Sequence, residues 1–358
     1  MRILFLQQQP CVRALKYAAA LRAAYPKIRL GFAYQGKTLS GWYGSGDELF
    51  EGWWDLGSEP MKRLRDAGRE FRPDLIHSHN LPDSLTAIAL ELFAGRVPVV
   101  HDIHDLQSLR RTPSEHGFPE PREPLALEQL AVEESSALVA VSEELLEVVR
   151  TRYRPTAPTL VFPNYALRRD LPPVLPPPER RNGHPPRLVY QGTLSTNGGH
   201  YDLREIFRAI VSMGLSLDVY PSRHVPAYAE LAAGLTGMRA HATLPPPRLL
   251  ASLPDYDFGW AGFNSALNGA HLDTCLPNKA YEYLGCGLPV LTLRHRALSR
   301  LVGDGRLGLS LATLDDLGGR LATVDMVELR RRVAAARLEL TVEANIRRLA
   351  ELYEAVAR

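Results

Sequence analysis

Seven prolines crowd the eighteen residues Asp170–Arg187, DLPPVLPPPERRNGHPPR. Proline fixes φ and has no N–H to donate, so a run this dense forms neither a helix nor a central strand. It reads as a semi-rigid, extended spacer. A chain of 358 residues is too long for one ordinary hydrophobic core, and the spacer falls where two domains would part. The expected plan is a first domain over 1–168, a linker over 169–187, a second domain over 188–340 and a closing helical stretch over 341–358.

Both blocks alternate short apolar runs with helical periodicity. In the first, Arg2–Leu6, Ile28–Phe32, Leu75–Ser78, Val97–Asp102, Ala137–Val141 and Leu160–Phe162 read as strands. Val12–Tyr25, Met61–Phe71, Asp83–Phe93 and Glu143–Arg150 read as helices, the third starting near Pro82-Asp83 and the last capped by Ser142. Trp42–Gly57, rich in glycine and aromatics, reads as a loop. Beyond the spacer, Leu188–Tyr190, Leu215–Tyr220, Phe258–Gly262, Val290–Leu293 and Leu307–Leu311 read as strands. A polar loop over Gln191–His200 leads to a helix expected to be capped by Asp202 and to run to Met213. Met326–Arg358 reads as helical, with Ile346, Leu349, Leu352 and Tyr353 on one face. Strands alternating with helices predict an α/β protein of two doubly wound parallel sheets.

Composition narrows the partners. Apolar residues make up 45% and charged residues 23%, as in a soluble globular protein. A net charge of +2 gives no argument for nucleic acid, and a mild basic excess is compatible with an anionic ligand or peripheral contact with a membrane surface. Three cysteines, Cys11, Cys275 and Cys286, supply no disulfide framework and suit a reducing cytoplasm. The apolar run in MRILFLQQQP is too short for a signal peptide.

In open α/β sheets, ligands bind beyond the carboxyl ends of the strands. That rule selects the loops at Gln7–Arg13, His77–Asn80, His101–Asp105, Gln191–His200 and Phe263–Lys279. The last runs into LPNKAYEYLGCGLPV, Leu276–Val290, which reads as a loop, a two-turn helix, a glycine stop and a strand. Pro277 suits the first turn, and Lys279 and Glu282 share one helix face. The chain holds five lysines, and Lys279 is the only one after Lys62. A compact ammonium at a helix N-terminus suits a phosphate. The alternative is a surface lysine paired with Glu282.

PNKAYEYLGCGLPV resembles the donor-binding segment of retaining GT-B glycosyltransferases, above all glycosyltransferase family 4. PDLIHSHNLPD (Pro73–Asp83), VPVVHDIHDL (Val97–Leu106), ALVAVSEEL (Ala137–Leu145) and FPNY (Phe162–Tyr165) resemble further segments of that family. The resemblance implies a GT-B fold, two Rossmann-like domains facing across a cleft, with the terminal helix, Asn345–Arg358, returning to the first. It implies transfer of a sugar, with retention, from a nucleotide-diphosphate sugar to a carbohydrate, lipid-linked or small-molecule acceptor. No cofactor and no metal are required, and the protein would work in the cytoplasm or at the inner face of the membrane. Glu282 matches the glutamate that binds the ribose hydroxyls, and His104 the histidine that contacts the donor sugar, with Asp102 or Asp105 to hold its tautomer. Asn278, Asp273 and Thr274 would complete the donor site with Thr193, Gly198 and Gly199, whose N–H groups could cradle the diphosphate. Arg13, His79 and Asn80 are the acceptor-side candidates, and Arg13 could assist Lys279 against the phosphate charge.

This sequence departs from the family pattern at named positions. Thr193 stands where the family has an arginine, and no lysine precedes Gly198. Thr274 stands for the first glutamate, eight residues before Glu282. Gln7-Gln8-Gln9-Pro10 replaces a glycine pair after the first strand. A degenerate GT-B protein that binds without turnover is therefore the main rival. His77, His79, His101, Asp102 and Asp105 also suggest a metal hydrolase, although no third ligand set appears at a telling spacing. The lack of G-x-G-x-x-G after the first strand argues against a dinucleotide oxidoreductase.

Overall fold

The computed structural model describes residues 1–36, 47–110, 124–175, 185–303 and 305–357. Residues 42–46 of the expected loop and 176–184 of the expected linker lie outside the described residues, as do Lys37 and Arg358.

The chain forms two compact units. One holds the described residues up to Pro163 together with Val342–Val356, and the other holds Asn164–Thr341. In the first unit the strands are β1 (Arg2–Gln7), β2 (Arg29–Tyr34), β3 (Gly52–Asp55), β4 (Leu75–His79), β5 (Val99–Ile103), β6 (Ala137–Ala140) and β7 (Thr159–Val161). They form one parallel sheet in the order β3-β2-β1-β4-β5-β6-β7. Ile3, Leu4, Phe5 and Leu6 in β1 are fully buried, and the register pairs Ile3 with Leu75 and Leu4 with Gly31. Such unbroken apolar runs mark strands covered on both faces. β3 lies within the stretch expected to be loop. Trp53 and Trp54 supply its strand propensity, but glycine flanks obscure it in the sequence.

The second unit contains β8 (Arg187–Gly192), β9 (Ser216–Pro221), β10 (Met238–Ala240), β11 (Phe258–Trp260), β12 (Val290–Leu293) and β13 (Gly308–Leu311). Their order is β10-β9-β8-β11-β12-β13, again parallel. Each sheet reverses direction beside its first strand, between β1 and β4 and between β8 and β11. Those switch points are where open sheets leave a crevice for ligands.

Three further expectations change. Met326–Arg358 is two helices, Met326–Ala336 and Val342–Val356, because the two halves pack in different units and the chain turns between them. Ile346, Leu349 and Tyr353 are buried as the periodicity predicts, Leu352 only partly, and the second helix packs on Val12–Ala24. The proline-rich stretch up to Leu175 does not behave as a bare spacer. Leu171 is buried against Gly285, where an added Cβ would lie 2.6 Å from its Cδ2. Asp202 caps nothing. The helix Arg204–Ser212 begins after Leu203, and the Asp202 carboxylate is held instead by Arg204 and by the N–H of Gly198.

Candidate functional site

In the second unit the helix Asn278–Gly285 starts from Pro277, which is its N-cap rather than its first residue. It stops at Cys286, followed by Gly287 at φ +76°, the left-handed backbone that favours glycine. Its first turn lies against the end of β8. Lys279 is 7% exposed; its Nζ donates to Tyr190 Oη at 2.9 Å and sits 4.0 Å from the centre of that ring. The Tyr201 and Phe263 rings flank it at 5.9 and 5.7 Å. At Gly192, φ is +126°, a backbone that favours glycine, and the residue lies in van der Waals reach of the Lys279 side-chain end. Among the described residues no carboxylate forms an ion pair with Lys279. Burial pushes its pKa down to about 7, against the opposing pull of Glu282. The surface-pair alternative is therefore excluded. The helical spacing does place both residues on one side, but that side is packed on the sheet.

Glu282, one turn on, is partly exposed and accepts from Gln191 Nε2 at 2.7 Å. Gln191 in turn donates its backbone N–H to Tyr283 Oη at 2.9 Å, which donates to the Trp260 carbonyl at 3.4 Å. The carboxylate is thus oriented by a side chain that is itself fixed to the helix and to β11.

The other donor-side candidates are committed within the protein. Gly198 N–H donates to Asp202 at 3.0 Å and Gly199 N–H to Asn197 Oδ1 at 3.2 Å, so these two groups close their own loop rather than stand open to a diphosphate. The Thr193 carbonyl accepts from Tyr190 Oη at 2.5 Å. Thr274 is buried and its hydroxyl donates to the His271 carbonyl at 2.7 Å. Asp273 accepts from the Arg296 N–H at 3.1 Å and so caps the helix Arg296–Val302 from outside. Asn278 opens its helix, partly exposed.

In the first unit the candidates gather at the switch point between β1 and β4. Arg13 is 4% exposed. Its Nε meets both Asp102 oxygens at 2.9 and 3.2 Å, and its Nη2 donates to the Phe162 carbonyl at 2.6 Å. Its guanidinium lies 4.9 Å from the Tyr17 ring centre. Arg13 is a buried structural cation with its donors used, which corrects its expected role toward a phosphate or acceptor. Burial works to raise the Asp102 pKa, yet Arg13 and the His77 bond hold it well below the usual carboxylate range. His77 Nε2 lies 3.2 Å from Asp102 and Nδ1 2.5 Å from Tyr353 Oη, so the terminal helix is tied to the cluster.

His79 is fully buried, and burial drives its pKa well down. His104 is partly exposed, with its pKa pushed by burial to about 4 against the pull of Asp102, so it is neutral at pH 7. The nearest partner of its Nε2 is His79 Nδ1 at 3.0 Å, while Asp102 stands off at 3.8 Å. The expected carboxylate tautomer lock is therefore replaced by a second imidazole. Asn80 is a clamp: its Oδ1 accepts from the His104 N–H at 2.7 Å and its Nδ2 donates to the Asp105 carbonyl at 2.6 Å. It is 2% exposed, which removes it as a direct acceptor contact. His101 is buried between Thr86 and Asp83, with its pKa lowered by burial to about 3.

Sequence reasoning missed Tyr190, and it placed Gln191 in a ligand loop without giving it a role. The strand-end rule points to the loop that follows, and a tyrosine inside an apolar strand reads as core. Only the structure shows its hydroxyl turned to Lys279.

Residues 37–165 match the family model described as a glycosyl transferase 4-like domain. No curated protein matches the sequence. Among solved structures, the chain is similar to sucrose-phosphate synthase from Thermosynechococcus elongatus, with a TM-score of 0.72 and 14% identity over 99% of each chain. It is also similar to the lipopolysaccharide outer core galactosyltransferase WaaB, with a TM-score of 0.70 and 12% identity over 99% of each chain. A third similar structure is Anabaena HepE in complex with UDP-glucose, with a TM-score of 0.69 and 14% identity over 99% of this chain and 100% of that one.

Proposed function

We propose that this chain, which has the GT-B fold of the glycosyltransferases and resembles glycosyltransferase family 4, transfers a sugar from a nucleotide-diphosphate donor, with retention at the anomeric carbon. The observation that carries the reading is the pairing of a buried Lys279 with an oriented Glu282 at the switch point of the second sheet. Breaking the bond between the anomeric carbon and the diphosphate leaves negative charge growing on the leaving phosphate. An ammonium held in a low-dielectric, aromatic setting stabilises that charge strongly. Glu282, steadied by Gln191, is suited to accept from the ribose hydroxyls. For the first unit, His104 is assigned to the sugar being transferred, as a neutral imidazole able to donate or accept. The structural likeness to a protein solved with UDP-glucose supports a nucleotide sugar as donor. The acceptor class stays open among carbohydrate, lipid-linked and small-molecule alcohols. No described helix is long and apolar enough to cross a membrane. A cytoplasmic or membrane-face location accords with the chemistry of such donors.

The lysine supplies the positive charge that a divalent ion would otherwise bring, so chelation should leave turnover intact. A thermal-shift screen with nucleoside diphosphates and nucleotide sugars, followed by a transfer assay with the best ligand, tests the proposal. Stabilisation and release of nucleoside diphosphate support it; a ligand that stabilises but never turns over favours the degenerate alternative. That rival draws on the closed Gly198-Gly199 loop and on Thr274, both bonded to the protein's own groups.

A further inference from the structure

The loop after β1, the end of β4 and the loop after β5 bring three donor atoms together. One ligand atom from each of Cys11, His79 and His104 lies within 4.8 Å of the other two. His79 Nδ1 and His104 Nε2 are the closest pair, at 3.0 Å. In a tetrahedral zinc site, with bonds of about 2.0 Å to nitrogen and about 2.3 Å to sulfur, such atoms are separated by roughly 3.3–3.6 Å. The two imidazole nitrogens already stand close to that spacing, and the Cys11 sulfur, within 4.8 Å of both, reaches it by side-chain rotation. Cys11 and His104 are partly exposed, which gives an entry path, whereas His79 is fully buried and fixes the inner ligand.

A deeper triple, His77, His79 and Asp102, also converges. It is a poorer candidate. Both His77 nitrogens are engaged, by Tyr353 and by Asp102, and the Asp102 carboxylate is chelated by Arg13. A dication there would compete with a buried guanidinium. In the outer triple Asp102 serves instead as a nearby anion, 3.6 Å from His79 Nδ1 and 3.8 Å from His104 Nε2. It stands beside the ligand nitrogens themselves, so its negative charge favours a dication held there.

We propose that Cys11, His79 and His104 form a binding site for a soft or borderline metal ion such as zinc, with a fourth position open to solvent. One thiolate and two imidazoles disfavour magnesium and calcium, which take oxygen ligands. Binding releases the Cys11 thiol proton to solvent as the sulfur–metal bond forms, and no oxidation state changes. The metal takes the His104 nitrogen. On the glycosyltransferase reading above, zinc is therefore an inhibitor that lowers turnover, not a cofactor.

Cobalt(II) reports this directly, because a cobalt–thiolate bond absorbs in the near ultraviolet. The full chain titrated with cobalt(II) under reducing conditions should show a charge-transfer band that saturates at one equivalent and is displaced by zinc. Cys11→Ser, an isosteric change at a partly exposed residue, should abolish the band. His104→Ala should weaken affinity by more than the roughly 10–100-fold typical of losing an outer partner. Cys275→Ser and Cys286→Ser should keep the band. No band in the wild type, or one that survives Cys11→Ser in folded protein, overturns the site. Binding without inhibition of transfer would leave the site standing and count instead against His104 in turnover.

Discussion

Arg13 in the first unit and Lys279 in the second are both buried cations near a switch point, and the two are treated in opposite ways. Arg13 meets Asp102 through two short contacts, a backbone carbonyl through a third, and a tyrosine face. Lys279 has one tyrosine hydroxyl and three aromatic rings, with no ion-pair partner among the described residues. The first charge is neutralised inside the fold; the second is left to be met. Burial of a charge is therefore not a sign of function. A buried charge whose counter-charge is absent from the fold is the more informative observation.

The sharpest break in this comparison is expected in the first unit. Asp102→Ala strands a buried guanidinium and removes a partner of His77, so unfolding stability should fall by about 3–5 kcal/mol. Chemical denaturation measures it, and a loss no larger than that of an exposed pair would remove Arg13 from the structural role. Next in size, Lys279→Ala should fold normally but lose about a hundred- to a thousandfold in turnover, the usual cost of one electrostatic donor. Lys279→Arg should recover little, since a planar fork does not fit the slot between Tyr190 and Gly192. Glu282→Gln should weaken nucleotide affinity by roughly tenfold or more, as expected for a bond to a charged acceptor worth about 1.5–3 kcal/mol. Calorimetry would show this, and unchanged affinity would remove Glu282 from the ribose.

The smallest effect is one of stability and pH. The Lys279 pKa is near 7 in the folded chain and roughly 10.4 unfolded, so between those values the unfolded chain holds the extra proton. Stability must then rise with pH across that window. The burden of burying the charged lysine is full below pH 7 and fades toward pH 10. Lys279→Met should accordingly melt above the wild type at pH 7, with the gap narrowing as pH rises.

Much of the architecture was legible because the strands are buried on both faces and read as continuous apolar runs. Two of the four edge strands were not: β3 is masked by its glycine flanks, and β10 is only Met238–Ala240. The helix at Asn278 was legible from its proline start and glycine stop. What the spacing could not reveal was which way its first turn faces, and hence that Lys279 points into the protein while Glu282 turns to Gln191. Arg13 failed for a related reason. Its position after β1 suited a ligand contact, but its partner Asp102 comes from a strand two places along the sheet, a pairing visible only in the fold.

The central claim is that Lys279 awaits an anion. Calorimetric titration with a nucleoside diphosphate at pH 8, in two buffers of different ionisation enthalpy, tests it most directly. Most Lys279 side chains are neutral at that pH, and a bound diphosphate should restore the ammonium. The account predicts uptake of most of one proton by the wild type, with weaker binding and no uptake from this group in Lys279→Met. Equal affinity and equal proton uptake in the two proteins would contradict it.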